Sequence, residues 1–189
     1  LPEYYPDNSV FRSDWARYYD MVSAMDLEAG RILDRLDAEG LRENTVVFFF
    51  GDHGRPLPRA KRWLYDSGLR VPLIVRWPGV VPESTVVDEL VSFVDFAPTV
   101  LAIADVSIPP HMQGQIFLGE HVPASRPYVF GQRDRVDEIE DRVRSVRGTR
   151  YHYIRNFRPE LPYSVPSDYM DRMPSMREWR RLNETGILT

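Results

Sequence analysis

The sequence predicts an α/β fold: a mixed sheet flanked by helices, followed by a small antiparallel sheet with a helix. Three observations carry this. A long stretch with 3.6-residue apolar spacing leads through a short link into Thr45–Phe50, a continuous β-branched and aromatic run. A second apolar strand, Val71–Arg76, closes on Trp77-Pro78-Gly79, a strong turn signal. After Pro127 the pattern changes to short alternating segments separated by charged or Gly-containing turns.

Each element follows in order. Residues 1–12 form an extended, Pro-containing lead-in. Trp15, Tyr18, Val22, Met25, Ala29, Ile32, Leu33 and Leu36 line one face of a helix, with Ser13 as N-cap and Gly40 as the stop. Thr45–Phe50 is apolar on both faces and reads as a strand buried mid-sheet, of the parallel kind. Val86–Val91 is a weaker strand or extended segment. Asp95 caps a helix that tolerates Pro98 in its first turn and runs to about Ala104. Tyr128–Gln132, Val143–Arg147 and Tyr151–Phe157 are the short strands. The tail from Arg158 to Pro174 is expected to wrap over the surface, and Ser175–Leu182 forms a last helix. The expected division is 1–126, an α/β catalytic part, and 127–189, a small antiparallel subdomain with a tail.

With 189 residues and 43 % hydrophobic side chains the chain can bury a proper core and is no disordered segment. Its 24 Lys+Arg against 28 Asp+Glu leave a net charge of −4, which speaks against a general nucleic-acid binder. No apolar run approaches the ~20 residues of a membrane span. The absence of cysteine excludes disulfides, zinc–thiolate sites and a Cys nucleophile within these residues. Leu1 is not an initiator Met, so the natural N-terminus is expected to lie upstream; the compartment stays open.

The residues that could carry chemistry begin with Gly51-Asp52-His53-Gly54, directly after the buried strand. Ligands of α/β sheets collect beyond the carboxyl ends of strands. A carboxylate and an imidazole on a Gly-flanked turn there make a pair of metal ligands, hard oxygen plus borderline nitrogen. The plainer alternative is a turn-capping Asp52 beside an ordinary surface His53. The loop of about twenty residues that follows is longer than usual, as functional loops often are. It holds Lys61, the one lysine in a chain whose other 23 basic residues are all Arg. An ammonium is a compact point charge and a guanidinium a wide fork, so the two are not interchangeable where an anion must fit tightly.

The run Asn44–Gly54, then Lys61 and Tyr65-Asp66-Ser67-Gly68-Leu69-Arg70-Val71-Pro72-Leu73-Ile74-Val75-Arg76-Trp77-Pro78-Gly79, resembles the C-terminal part of a sulfatase, a family of the alkaline-phosphatase-like superfamily. The likeness reaches back to Tyr18–Leu33, and forward to Val94–Leu101 and Arg144–Phe157, so it covers nearly the whole chain. It implies an alkaline-phosphatase-like mixed sheet and a sulfuric ester or sulfamate hydrolase acting on a carbohydrate-like sulfate ester. Asp52 matches the carboxylate on the active-site divalent cation. The resemblance implies Ca²⁺ as the first candidate; His53 stands where many members have Asn or Gln, and its nitrogen favours Mn²⁺ or Zn²⁺ more than Ca²⁺ does, which makes Mn²⁺ the second. Lys61 matches the lysine that contacts the sulfate oxygens. Arg70 matches the Arg of the Gly-x-Arg-Val-Pro stretch, either touching substrate or supporting the loop. Arg133, Asp134 and Arg135 are expected in a loop, reaching a sugar or lying as a solvated turn. His111, His121 and His152 are read as surface or packing residues.

The family's nucleophile is a formylglycine made from Cys or Ser in Cys/Ser-x-Pro-x-Arg. That motif does not occur in these residues, so it is expected upstream with further metal ligands. The chain resembles about half of an enzyme, inactive alone, whose N-terminal half adds strands to the same sheet. Two other functions compete: a phosphonate monoester hydrolase or phosphodiesterase of the same superfamily, and a non-catalytic binding module that kept the fold.

Overall fold

Asn8 starts the first helix. Its side-chain oxygen accepts from the amides of Val10 and Phe11 at 3.0 and 3.2 Å, which satisfies two of the otherwise orphaned first-turn donors. The computed structural model describes residues 1–188, and α1 spans Ser9–Ala38. The expected cap Ser13 therefore lies inside the helix. Both residues are of capping type, but Asn8 follows Pro6, where helix cannot extend backwards. Gly40, at φ +68°, supplies the left-handed step that ends α1.

Only the start of the apolar stripe of α1 is covered. Phe11 and Trp15 form a core with Tyr5, Leu57 and Leu182, with Tyr18, Met173 and Trp179 packed around it. Leu182 and Trp179 belong to α4, Pro174–Glu184, so the two ends of the chain share one core. Further along α1, Met21, Met25, Leu27 and Ile32 are exposed.

The strands β1 (Val47–Phe50) and β2 (Leu73–Arg76) pair antiparallel, Val47 opposite Arg76 and Phe50 opposite Leu73. This corrects the parallel expectation. A two-faced apolar run reports burial and not direction, and parallel pairing needs a crossover that lays a helix on the sheet. The connection here contains only the single helical turn α2, Asp66–Leu69, and doubles back as a long hairpin. One face of the pair packs through Phe48 and Phe50 onto Phe96 at the start of α3, Phe96–Ile103. On the other face, Arg76 of β2 donates to Asp37 of α1 at 3.0 Å.

Asp95 stands at the N-cap position of α3, as expected, but its side chain makes no cap bond to that helix. It is 1 % exposed and accepts from the amides of Ser92 and Gln115 and from the Arg126 guanidinium. The loop after α3 is thereby tied to its N-terminus. Val86–Val91 forms no strand.

The second sheet is the antiparallel meander β3 (Val129–Val136), β4 (Ile139–Arg147) and β5 (His152–Asn156). The register of β3 and β4 shifts between Arg133 and Arg135, where Asp134 of β3 faces two residues of β4, Asp141 and Arg142, so that β4 carries a bulge. The tail does not simply wrap the surface. Val165, Ser167 and Met170 are buried, because Ser167 donates to Asp137 in the β3–β4 turn and its hydroxyl accepts from the Met170 amide at 3.2 Å.

Candidate active site

The ladder of β1 and β2 continues one step past the strands, as the Gly51 amide donates to Pro72 O at 3.1 Å. Asp52 and His53 follow at the open end. Asp52 points into solvent, with 82 % of its side chain exposed. His53 Nδ1 lies 2.8 Å from the carbonyl oxygen of Gly54. A carbonyl only accepts, so Nδ1 carries the proton and Nε2 keeps its lone pair in the neutral ring. That Nε2 stands 3.4 Å from Asp52 Oδ2.

The separation fits both a direct carboxylate–imidazole contact and two ligands sharing one cation. Two ligands on one cation, each at about 2.0–2.4 Å, sit about 3–3.5 Å apart. An acceptor-only carboxylate and an imidazole with Nδ1 anchored on a backbone carbonyl thus fit a divalent cation, with the ring orientation already fixed. Among the described residues no cluster of three or more His, Asp or Glu side chains suited to a metal occurs. These two would make one side of a larger coordination shell.

A backbone contact ties this turn to the following loop. The Gly54 amide donates to Gly68 O at 3.0 Å. A Cβ on Gly54 would lie 2.1 Å from Ser67 O, and one on Gly68 would lie 2.1 Å from Trp63 O. The loop base is anchored below by buried Leu57 and Ala60, and by the Tyr5 hydroxyl donating to Pro58 O. Lys61 sits at its crest, half-buried, with its amide donating to Arg55 O at 3.1 Å. Its Nζ is 5.4 Å from the centre of the Tyr169 ring. The nearby ion pairs belong to arginines, Arg62 with Asp137 and Arg133 with Asp141, and Lys61 joins none among the described residues.

The remaining candidates lie apart. Arg70 is exposed at the C-terminal cap of α2, its amide donating to Asp66 O at 2.8 Å. Arg133, Asp134 and Arg135 are in strand β3 and not in a loop, since the bulge in β4 absorbs the charged run without breaking the ladder. Asp134 pairs with Arg144 at 2.7 Å and Arg135 with Glu140 at 3.3 Å. Asp134, Arg135 and Glu140, together with Asp141, Arg142 and Arg158, line a cavity of about 310 Å³, whose walls include neither Asp52, His53 nor Lys61. Arg133 is no solvated charge, because it donates to Asp141, which is buried.

Sequence reading missed the partners of the loop. Arg59 lies 4.4 Å from both the Tyr4 and Tyr65 rings and donates to the Tyr163 hydroxyl at 2.9 Å. Burial, then the Tyr65 hydroxyl, pushes the Tyr163 phenol well above its ordinary value. Asp66 receives Arg147 at 3.1 Å, and His152 Nδ1 lies 3.1 Å from it. His152 is therefore a packing residue, as expected, but one that pins α2 to the second sheet. The dense Arg and Tyr content was the only local signal of these contacts.

The sulfatase family model matches residues 1–106. An ulvan-active sulfatase of Formosa agariphila is 45 % identical over 188 residues, covering 100 % of this chain and 32 % of the relative. An endo-4-O-sulfatase of Bacteroides thetaiotaomicron is 32 % identical over 161 residues, covering 75 % of this chain and 32 % of the relative. The solved structure of BT4656 in complex with its substrate D-glucosamine-2-N,6-O-disulfate superposes with a TM-score of 0.65 at 23 % identity, covering 88 % of this chain and 38 % of that one. That likeness concerns the fold, the expected alkaline-phosphatase-like α/β architecture. The chain spans about a third of the length of the curated relatives it matches.

Proposed function

The chain belongs to the sulfatase family, and from that premise we propose that it supplies metal-binding and anion-binding residues to a hydrolase of sulfate esters or sulfamates on a saccharide. The saccharide is inferred from the 45 % identical relative, whose name makes it ulvan-active. The observation that carries the proposal is the 3.4 Å approach of Asp52 Oδ2 and His53 Nε2 on a turn whose next residue is hydrogen-bonded to the Lys61 loop.

Asp52 and His53 would hold a divalent cation, Ca²⁺ first and Mn²⁺ second, which when bound polarises the sulfate oxygens. The carboxylate contributes charge, and the Gly54 carbonyl keeps the imidazole in the ligating tautomer. Lys61 binds the sulfate as a point charge with three donors and offsets the negative charge that grows on leaving-group departure. The nucleophile, expected as formylglycine, and the remaining ligands lie outside these residues. Arg70, Asp134 and Arg135 are proposed to act further out, on the saccharide. For Asp134 and Arg135 this requires exchanging their present ion pairs for substrate contacts.

The test uses the full-length protein with an aryl sulfate and an aryl phosphonate. Preferential sulfate hydrolysis, with Asp52→Asn and His53→Ala each lowering metal content and activity by on the order of 100-fold, is expected. A phosphonate preference of that size overturns the sulfate assignment. Unchanged metal content in both variants overturns the ligand assignment.

A further inference from the structure

We propose that Tyr169, from the C-terminal tail, is a positioning residue for Lys61: its ring aims the ammonium at the anion without neutralising it. The proposal rests on the reading of Lys61 as the sulfate-binding cation.

The argument starts from backbone strain. Among the non-glycine residues with positive φ are Arg59 (+63°), Arg62 (+74°) and Asp137 (+47°). Such conformations persist only where the surroundings over-determine them, and they gather at functional sites. Arg59 and Arg62 bracket Lys61, and Asp137 is the direct partner of Arg62, whose Nη2 donates to its Oδ1 at 2.7 Å.

The other oxygen of Asp137 accepts from the hydroxyl of buried Ser167. Ser167 in turn fixes the helical turn Met170–Arg172, since its hydroxyl accepts from the Met170 amide and its carbonyl from the Asp171 amide at 2.9 Å. Tyr169 leads into that turn. Its ring centre lies 4.5 Å from the Arg62 guanidinium carbon and 5.4 Å from Lys61 Nζ. On the other flank, Arg59 is held by Tyr4, Tyr65 and Tyr163. Both flanking arginines are thus fixed, while the lysine's own four-carbon stem is flexible and is directed by the ring of Tyr169.

An aromatic face suits this task better than a carboxylate. The ring quadrupole attracts a cation within about 6 Å, yet it takes up no N–H and cancels no charge. The ammonium keeps its three donors for the anion. Tyr169 is 47 % exposed, so the anion has an approach to the pair.

The test is made in the full-length protein with inorganic sulfate as the probe, its dissociation constant measured by calorimetry, beside kcat and KM for an aryl sulfate. Lys61→Ala is expected to weaken sulfate about 10-fold or more. Tyr169→Leu is expected to weaken it roughly 3- to 10-fold, and to raise KM more than it lowers kcat. Tyr169→Phe, which keeps the ring, stays within about twofold of the parent. Trifluorophenylalanine at position 169 keeps the ring's shape but removes its quadrupole, and is expected to bind sulfate as poorly as Tyr169→Leu. It decides the matter if the leucine variant does not fold. Sulfate binding unchanged in the trifluoro variant, or lost equally in Tyr169→Phe, overturns the positioning role. Sulfate binding unchanged in Lys61→Ala overturns the underlying reading of Lys61 instead.

Discussion

Gly54 and Gly68 touch backbone to backbone, and that contact joins the Asp52–His53 turn to the loop bearing Lys61. The amide of Gly54 meets the carbonyl of Gly68 at 3.0 Å, and neither position has room for a Cβ. Neither glycine has positive φ, so close approach and not backbone freedom makes them necessary. Gly54→Ala must push backbone atoms apart, because the obstructing atom is the carbonyl of Ser67. The expected cost is about 1–3 kcal/mol of stability, as for other overpacked sites. In the full-length protein, metal content and sulfate affinity should fall together. Loss of one without the other, measured by metal analysis and calorimetry, would show that the turn and the loop are not coupled.

Asp95 is a carboxylate with a structural task. Buried, it answers two backbone amides and the Arg126 guanidinium. Asp95→Ala strands all three donors in a site closed to water, so a loss of about 3–5 kcal/mol is expected. Asp95→Asn keeps the shape and one acceptor, and should cost less. Denaturant titration of both variants checks the order, and equal losses would mean that shape and not charge is what matters there.

How much of this was legible follows from the range of each signal. The 3.6-residue spacing from Trp15 to Leu36 is local, and it found α1. It could not choose between Asn8 and Ser13 as the cap, since either side chain can accept from an amide three residues on. The run Thr45–Phe50 signals burial that a two-stranded sheet does not give, since β1 is only partly covered; strand direction is decided by the connection, and nothing in residues 51–72 spells out a hairpin closed by two glycines. Asp52, His53 and Lys61 stood out as rare chemistry in a Gly-flanked and Arg-dominated setting. Tyr163 and Tyr169 did not, because their partners Arg59 and Arg62 lie about a hundred residues earlier and leave no periodic trace. The charged run at Arg133–Arg135 reads as a turn by composition and is a strand opposite a bulge by pairing.

Two phenols, buried Tyr5 and half-exposed Tyr163, are expected to set the alkaline limit. Burial, then Tyr4, pushes the Tyr5 phenol up from 10.0. Burial, then Tyr65, does the same for Tyr163. In the unfolded chain both phenols lose their protons near pH 10, while in the native state they keep them. Below that pH the two states bind equal numbers of these protons, and the contribution is constant. Above it the unfolded state binds fewer, so stability falls as pH rises. Denaturation midpoints should therefore bend downward beyond about pH 10. Tyr5→Phe combined with Tyr163→Phe should flatten that limb, at a neutral-pH cost of about 1–3 kcal/mol for the buried Pro58 carbonyl left without its donor. An unchanged alkaline limb in the double variant would assign it to other groups.

The pair β1–β2 asks for neighbours. A two-stranded sheet is marginal alone, and its free edges are open to further pairing. Ile74 is 62 % exposed in the middle of β2, and Phe50 is 45 % exposed at the end of β1. An α/β sheet of the family's kind would cover both, and the relatives have about two thirds of their length outside the matched region. Ile74→Cys, placed in a chain free of other cysteines, is expected to react rapidly with a bulky maleimide in this chain alone. In the full-length protein, with any other cysteines replaced, the same thiol should react at least tenfold more slowly, since it would lie between packed layers. Equal rates in the two contexts would mean that the remainder of the protein leaves this sheet uncovered, and that Asp52 and His53 receive no further metal ligands across it.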